Sequence, residues 1–164
     1  MKTLLLIRHA KSDWGNTQLR DYDRPLNARG MNDALLMASV IDRLKLKPDC
    51  IITSSAKRAI TTAGFFVEHF CIDGKRFNPT DKIYDGSYRD YINSLNEVND
   101  EYNTVFMFGH NPEITMLASE FVPVFAEHVP TAGCVAIDFD IDNWVDIESG
   151  KGKLRFFEYP KKHK

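Results

Sequence analysis

Short apolar runs without polar alternation dominate the hydrophobic pattern of the chain. Three of them, at 4–7, 50–53 and 104–108, predict strands that are buried on both faces, as in a parallel sheet. Further short strands are predicted at 79–84, 134–139, 144–148 and 153–159, the last two being joined by a turn at Gly150–Gly152.

Helical patterns follow each of the three runs. The sequence predicts helices over about 28–46, 56–70 and 113–121, and one more over 87–98. Asn27 is a suitable cap for the first helix, and Asn111 with Pro112 suits the start of the one after the third run. The chain shows no repeat and no linker, so we expect a single α/β domain over residues 1–164, with 160–164 as a disordered tail.

Each of the three runs leads to a polar group that is costly to bury alone. Arg8 and His9 end the first run, while His110 follows the third. Arg58 lies in the first turn of the helix after the second run, where a cation is favourable if an anion lies between it and the backbone amides. Ligands bind outside the carboxyl ends of strands in open α/β sheets, so these side chains are expected to meet in one crevice.

Plainer explanations exist for each of these residues alone. His9 can be a core histidine, Arg8 can pair with a carboxylate, and Ser54–Ser55 can be ordinary helix caps. A metal site made of His9, His110 and an aspartate is disfavoured, because no two histidines have close ligand spacing such as His-x-x-x-His.

Composition and charge narrow the classes of partner. The chain has 43% hydrophobic and 27% charged residues and a net charge of −2, so binding to nucleic acid is not favoured. The three cysteines are scattered among apolar residues, which suits a reducing compartment. No run is long enough for a signal peptide or a membrane span, so we expect a cytoplasmic protein without membrane contact.

Three motifs together resemble the histidine phosphatase (phosphoglycerate mutase-like) superfamily. They are Leu6–Ala10 (Leu-Ile-Arg-His-Ala), Ser54–Ala59 (Ser-Ser-Ala-Lys-Arg-Ala) and Gly109–Pro112 (Gly-His-Asn-Pro), in the superfamily's order and at its intervals. The short chain and the segment Asp21–Gly30 are similar to the compact phosphohistidine phosphatases of the SixA type. One departure is Ala10, which stands where the superfamily usually has Gly.

The resemblance implies a three-layer α/β/α sandwich with a mainly parallel central sheet and a phosphatase that needs no cofactor or metal. His9 is the implied nucleophile, and Arg8, Arg58 and His110 are the implied phosphate pocket. Ser12 and Arg24 are further candidates for phosphate contacts, with Asp21 or Asp23 orienting Arg24. A solvated loop remains the alternative for Ser12.

The proton donor has two candidates, Asp85 and Glu113. Larger members of the superfamily place a carboxylate between the second motif and the last histidine, where this chain has Asp85. Asp85-Gly86 can equally be a plain turn, and Glu113, the rival, is explained by its place in the first turn of a helix. If Asp85 is the acid, Asp85→Asn should impair hydrolysis of alkyl phosphates more than of aryl phosphates.

The sequence thus predicts a phosphatase that acts through a phosphohistidine intermediate on His9. The expected substrate is phosphohistidine on a protein of the histidine phosphotransfer type. The alternatives are a phosphatase of small phosphate esters and a phosphate-binding module without turnover.

Overall fold

The computed structural model describes residues 1–164, and its six strands form one sheet. The helices and strands, in chain order, are β1 Lys2–Arg8, α1 Ala28–Arg43, β2 Cys50–Ser54, α2 Lys57–Phe70, β3 Phe77–Thr80, α3 Asp81–Tyr84, α4 Tyr88–Asn96, β4 Thr104–Gly109, α5 Glu113–Phe121, β5 Cys134–Phe139 and β6 Lys153–Glu158.

The sheet is mainly parallel, as predicted. Its strand order is β3-β2-β4-β1-β5-β6, in which the first four strands run parallel and β5 and β6 pair antiparallel. In β1, Leu4 and Leu6 pack into one core cluster while Leu5 and Ile7 pack into another on the opposite face. The first apolar run is therefore a central strand buried on both faces, as its lack of polar alternation predicted.

Helices cover both faces of the sheet and complete the three-layer α/β/α sandwich. On one face, α1 and α2 bury residues such as Met37 and Phe66. On the other face, α4 and α5 bury residues such as Leu95 and Leu117. The Asn27 side chain caps α1 by accepting a hydrogen bond from the Gly30 N–H at 2.8 Å, but α1 ends at Arg43, short of the predicted end near 46.

The segment around Trp144 differs from the prediction. It was expected to be a strand over 144–148, but Trp144–Asp146 forms a 3-10 helix with the indole fully buried. The Trp144 backbone N–H donates to Asp100 Oδ1 at 2.7 Å, and its indole N–H donates to the Tyr102 carbonyl at 2.8 Å. These bonds hold the segment on the loop before β4, so it does not join the sheet.

The C-terminus also differs, because 160–164 was expected to be disordered. Pro160–His163 forms a 3-10 helix, in which His163 Nε2 lies 2.7 Å from Glu158 Oε2. The Lys164 ammonium reaches the buried carboxylate of Asp33 on α1 at 2.7 Å. A buried carboxylate needs a cationic partner, which gives the tail a reason to be ordered. None of the helices combines the length and the apolarity that crossing a bilayer requires.

Candidate active site

The carboxyl ends of three neighbouring parallel strands bring the four principal candidates together. Arg8, at the end of β1, is in register with Gly109 at the end of β4, so His9 and His110 follow side by side. Their ring centroids are 5.1 Å apart. Arg58, in the first turn of α2 after β2, places its Nε 3.4 Å from His9 Nε2. His9, Arg58 and His110 are all buried, and Arg8 is half-buried.

Hydrogen bonds fix the orientation of the His9 ring. Its Nδ1 lies 2.8 Å from the Ala10 carbonyl oxygen, which can only accept, so Nδ1 carries the proton in the neutral ring. The next backbone N–H, that of Ala10, donates to Thr62 Oγ1 on α2 at 3.0 Å. The lone pair of the neutral imidazole is therefore on Nε2, the atom nearest to Arg58.

Both histidines are held in the neutral form. Burial is the main cause that lowers the pKa of His9 to about 3, and the charges of Arg58 and Arg8 lower it further against the opposing bond to the Ala10 carbonyl. Burial likewise lowers the pKa of His110 to about 4, with Arg58 again adding to the effect. At neutral pH neither ring repels the nearby guanidiniums, and the one lone pair of His9 Nε2 accepts the Arg58 Nε–H at 3.4 Å, a long bond that an incoming electrophile can displace.

Hydrogen bonds from two neighbouring elements hold His110 in place. Its backbone N–H donates to Tyr91 Oη at 3.0 Å, which ties the end of β4 to α4. Its Nε2 lies 2.8 Å from Ser54 Oγ, whose oxygen accepts the Ala56 N–H at 3.2 Å. We assign the Ser54 hydroxyl as the donor to Nε2, which places the ring proton on Nδ1. That Nδ1 is buried and has no partner.

Arg8 also has an unused donor at this site. Its Nη1 donates to the Val129 carbonyl at 3.2 Å and lies 3.4 Å from His128 Nε2. Its Nε is buried without a hydrogen-bond partner, as is His110 Nδ1. Leaving a buried donor unpaired costs about 1–3 kcal/mol, and more for a charged group. An oxyanion such as a phosphoryl group is the ligand that suits two such donors beside buried guanidiniums.

Arg24 and Ser12 lie against each other beside this cluster. Arg24 is buried, its Nη1 donates to Ser12 Oγ, and its guanidinium carbon lies 3.7 Å from the ring centroid of Trp14. Its Nη2 donates to Asp21 Oδ1 at 2.7 Å, and Arg58 donates to the other oxygen of the same carboxylate. Ser12 is therefore buried and is not a solvated loop residue.

Asp85, the predicted proton donor, makes no hydrogen bond to the cluster. It caps the C-terminal end of α3 with an exposed side chain that makes no hydrogen bond. The turn interpretation of Asp85-Gly86 fits this position, and the prediction of an acid role loses its structural support. Glu113, the rival, lies in the first turn of α5 and its side chain makes no hydrogen bond either.

Asp21 is the carboxylate that does touch the cluster. From the sequence it was one of two possible partners for Arg24. In the structure Asp21 pairs with Arg24, whereas Asp23 pairs with Arg20 at 2.9 Å. Tyr84, which the sequence analysis did not single out, donates from its hydroxyl to Asp21 Oδ2 at 2.8 Å. The spacing of Asp21 three residues before Arg24 is the one sequence signal for this contact. No group of three or more His, Cys, Asp or Glu side chains is arranged to hold a metal ion.

Comparisons with known proteins agree with this geometry. Residues 4–76, which include Arg8, His9 and Arg58, match the sequence model of the histidine phosphatase superfamily (branch 1). The uncharacterized protein Rv1276c of Mycobacterium tuberculosis is 28% identical over 165 residues, which cover 94% of this chain and all of that protein.

Solved structures match the whole fold. A SixA structure from Agrobacterium tumefaciens has a TM-score of 0.82 and 24% identity, covering 97% of this chain and 98% of that one. The protein histidine phosphatase SixA complexed with tungstate has a TM-score of 0.83 and 19% identity, covering 99% of each chain. The match over residues 4–76 and the phosphoglycerate mutase-like fold of the whole chain confirm the resemblance to the histidine phosphatase superfamily that the three motifs indicated.

Proposed function

We propose that the chain is a metal-independent phosphatase that acts through a phosphohistidine intermediate on His9, with phosphohistidine on a protein as its substrate. The observation that carries the proposal is the state of His9. It is buried and neutral, and its Nδ1–H donates to the Ala10 carbonyl oxygen. Its Nε2, which carries the lone pair, lies 3.4 Å from Arg58 Nε. A nucleophile held next to a cation that binds the transferring group is what phosphoryl transfer to an imidazole requires.

In the first step, His9 Nε2 attacks phosphorus, and the bond from phosphorus to the leaving group breaks with its electron pair. Arg8 Nε, Arg58 and His110 Nδ1 supply donors for the non-bridging oxygens, on which charge is concentrated. Each hydrogen bond to a charged group contributes about 1.5–3 kcal/mol. The Nδ1–H of His9 continues to donate to the Ala10 carbonyl oxygen, and this hydrogen bond stabilises the positive charge that develops on the ring.

In the second step, a water oxygen attacks the phosphorus of phospho-His9. The P–N bond breaks, its electron pair returns to Nε2, and inorganic phosphate leaves with the oxygen from water. The water proton passes to the phosphate or to solvent. The proposed steps use no metal, because the donors of Arg8, Arg58 and His110 can offset the charge on the oxygens of the phosphoryl group.

The lack of a placed acid favours phosphoramidate substrates. Burial raises the pKa of Asp21, but hydrogen bonds from two guanidiniums and from Tyr84 outweigh it and hold this pKa well below its ordinary value. Both histidines are neutral at pH 7, and Asp85 is out of contact. An alkoxide leaving group needs a proton from a placed acid, whereas the imidazole of a phosphohistidine is protonated by solvent.

The surroundings of the site support a protein substrate in the cytoplasm. Trp14, next to Arg24, is 68% exposed, so the rim is open to a large partner. One sheet with both helical layers spans the chain, which supports a single domain. Its three cysteines are free, with Cys50 and Cys134 buried, which suits a reducing compartment.

An aryl-phosphate assay with and without chelator tests the mechanism. We expect wild-type turnover that chelator does not change and that His9→Ala abolishes. The matched control is His69→Ala, the same change at a histidine that pairs with Asp42 outside the site, and it should retain activity. Full activity in His9→Ala would contradict the mechanism, and no turnover in the wild type would favour a phosphate-binding module.

The substrate class is tested by a competition between two kinds of substrate. A phosphorylated histidine-containing carrier protein and a panel of small phosphate esters are compared by kcat/KM at equal enzyme concentration. We expect kcat/KM for the carrier protein to exceed that for each ester by at least about tenfold, which corresponds to about 1.4 kcal/mol in transition-state free energy. A preference for one of the small esters would instead support a phosphatase of small molecules.

A further inference from the structure

Asp21 binds two of the three arginines of this site and also Tyr84. Its Oδ2 accepts from Arg58 Nη2 at 2.9 Å and from the Tyr84 hydroxyl at 2.8 Å. Its Oδ1 accepts from Arg24 Nη2 at 2.7 Å, and its backbone carbonyl accepts from Arg58 Nη1 at 2.7 Å. Asp21 thus binds the guanidiniums of both Arg24 and Arg58.

The contacts with Arg58 fix which edge of its guanidinium faces the nucleophile. Asp21 binds Nη1 through its carbonyl and Nη2 through its carboxylate, and these two bonds orient the whole plane because the guanidinium is rigid. The remaining nitrogen, Nε, is the one that lies 3.4 Å from His9 Nε2. Release of the Nη2 bond would leave the plane held at Nη1 alone, so that the plane could turn about the Cδ–Nε bond and aim the Nε–H away from His9.

The carboxylate also sets the charge of the cluster. Arg8, Arg24 and Arg58 are cationic, both histidines are neutral, and Asp21 is ionised, so the cluster carries a net charge of +2. A phosphoryl group in a phosphohistidine or a monoester is a dianion near neutral pH, so the two charges match. Without the Asp21 charge the cluster would carry +3 and hold a dianion more strongly in the ground state and as the product.

A purely structural role for Asp21 has a specific weakness. Its short 3-10 helix, Asp21–Asp23, has other attachments, because the Tyr22 hydroxyl donates to Asp81 Oδ1 at 3.2 Å and Asp23 pairs with Arg20. The Asp21 carboxylate is half-exposed, so its loss leaves no large buried cavity. We therefore expect the loop to keep its fold when the charge of Asp21 is lost, and the orientation of Arg58 to change.

We propose that Asp21 is a positioning residue of the phosphatase reaction, which acts through Arg58 by holding its Nε toward His9 Nε2. This inference rests on the proposed function, since it assumes that His9 receives the phosphoryl group. Asp21 itself touches no reacting atom. It differs from Asp85 in that it transfers no proton.

The first test separates kcat from KM in Asp21→Asn, with an aryl phosphate as substrate. The variant keeps a side-chain oxygen but loses the charge, and we expect kcat to fall about tenfold while KM stays the same or falls, because the extra positive charge favours ground-state binding. The matched control is Asp23→Asn, the same change two residues away, with kcat and KM within twofold of wild type. A rise in KM at unchanged kcat, or no change in either, would overturn the inference.

The second test asks whether Asp21 acts through Arg58. In an Arg58→Lys background the planar fork is gone, so Asp21→Asn should change kcat by less than twofold there. The same tenfold loss in both backgrounds would show an independent structural role and overturn the inference. Loss of the Asp21 charge also removes stabilising contacts with Arg24 and Arg58, so Asp21→Asn should melt at a lower temperature than Asp23→Asn. Kinetics are therefore measured well below both melting temperatures, where both variants are fully folded and global unfolding is excluded as the cause.

Different results would contradict the proposed function and the role of Asp21. Absence of turnover in the wild type would overturn the proposed function and this inference with it. Turnover in the wild type that His9→Ala abolishes and Asp21→Asn leaves unchanged would overturn only the role of Asp21.

Discussion

The buried, neutral imidazole of His9 predicts that His9→Gln flattens the pH dependence of folding stability between pH 7 and pH 5. In the folded state burial lowers the pKa of His9 to about 3, whereas an unfolded histidine titrates near 6.5. Between these two values the unfolded chain binds more protons at this position than the folded chain. Its contribution to stability is therefore complete above pH 6.5 and is lost as the pH falls below it.

The size of the effect follows from the two pKa values. At pH 5 the unfolded histidine is almost fully protonated and the folded one almost fully neutral, so His9 lowers the free energy of unfolding by about 2 kcal/mol relative to pH 7. His110, with a pKa of about 4, contributes a similar loss over the same interval. A glutamine at either position titrates nowhere in this range and removes one of these losses.

Urea unfolding of the wild type, His9→Gln and His110→Gln at pH 7 and pH 5 measures the difference directly. Each variant should lose about 2 kcal/mol less between the two pH values than the wild type does, whatever its absolute stability. Other titrating groups are shared by all three proteins and cancel in the comparison. Equal losses in all three would refute the claim that the two rings are buried and neutral.

Three substitutions near the site have defined outcomes. Tyr91→Phe removes the acceptor of the buried backbone N–H of His110 and should lower the free energy of unfolding in urea by about 1–3 kcal/mol. An unchanged free energy of unfolding would contradict the existence of this bond. Gly109→Ala places a Cβ in steric conflict with Tyr91 Oη, so a loss of about 1–3 kcal/mol in the free energy of unfolding in urea and a reduced kcat/KM for an aryl phosphate should appear together. Asp85→Asn should change kcat/KM by less than twofold for both alkyl and aryl phosphates, because its side chain is exposed and unbonded; a selective tenfold loss on alkyl phosphates would restore its acid role.

The strand ends explain why much of the site was predictable from sequence. Arg8, His9 and His110 are placed by runs whose burial is evident from composition, and parallel pairing brings the ends of those runs together. Arg58 lies in the first turn of the helix after such a run. For these residues local sequence determines the position, and the topology of the sheet does the rest.

The remaining contacts depend on the paths of loops, which no periodicity predicts. Asp21 reaches Arg58 across 37 positions of sequence, and Tyr84 reaches Asp21 across 63. The order of the tail at Lys164 depends on the buried carboxylate of Asp33, whose burial appears only once α1 is packed. Trp144 is held by the loop before β4 and not by strand pairing.

The most direct test of the account is the chemical identity of the phosphoenzyme. Wild-type protein is mixed with an aryl phosphate, quenched in alkali to preserve acid-labile P–N bonds, and examined by peptide mass spectrometry and by 31P NMR. Because Nδ1 of His9 is occupied by the Ala10 carbonyl, the account predicts a single phosphorylated histidine, His9, modified on Nε2. Phosphate on Nδ1, on another residue, or on no residue during turnover would contradict it.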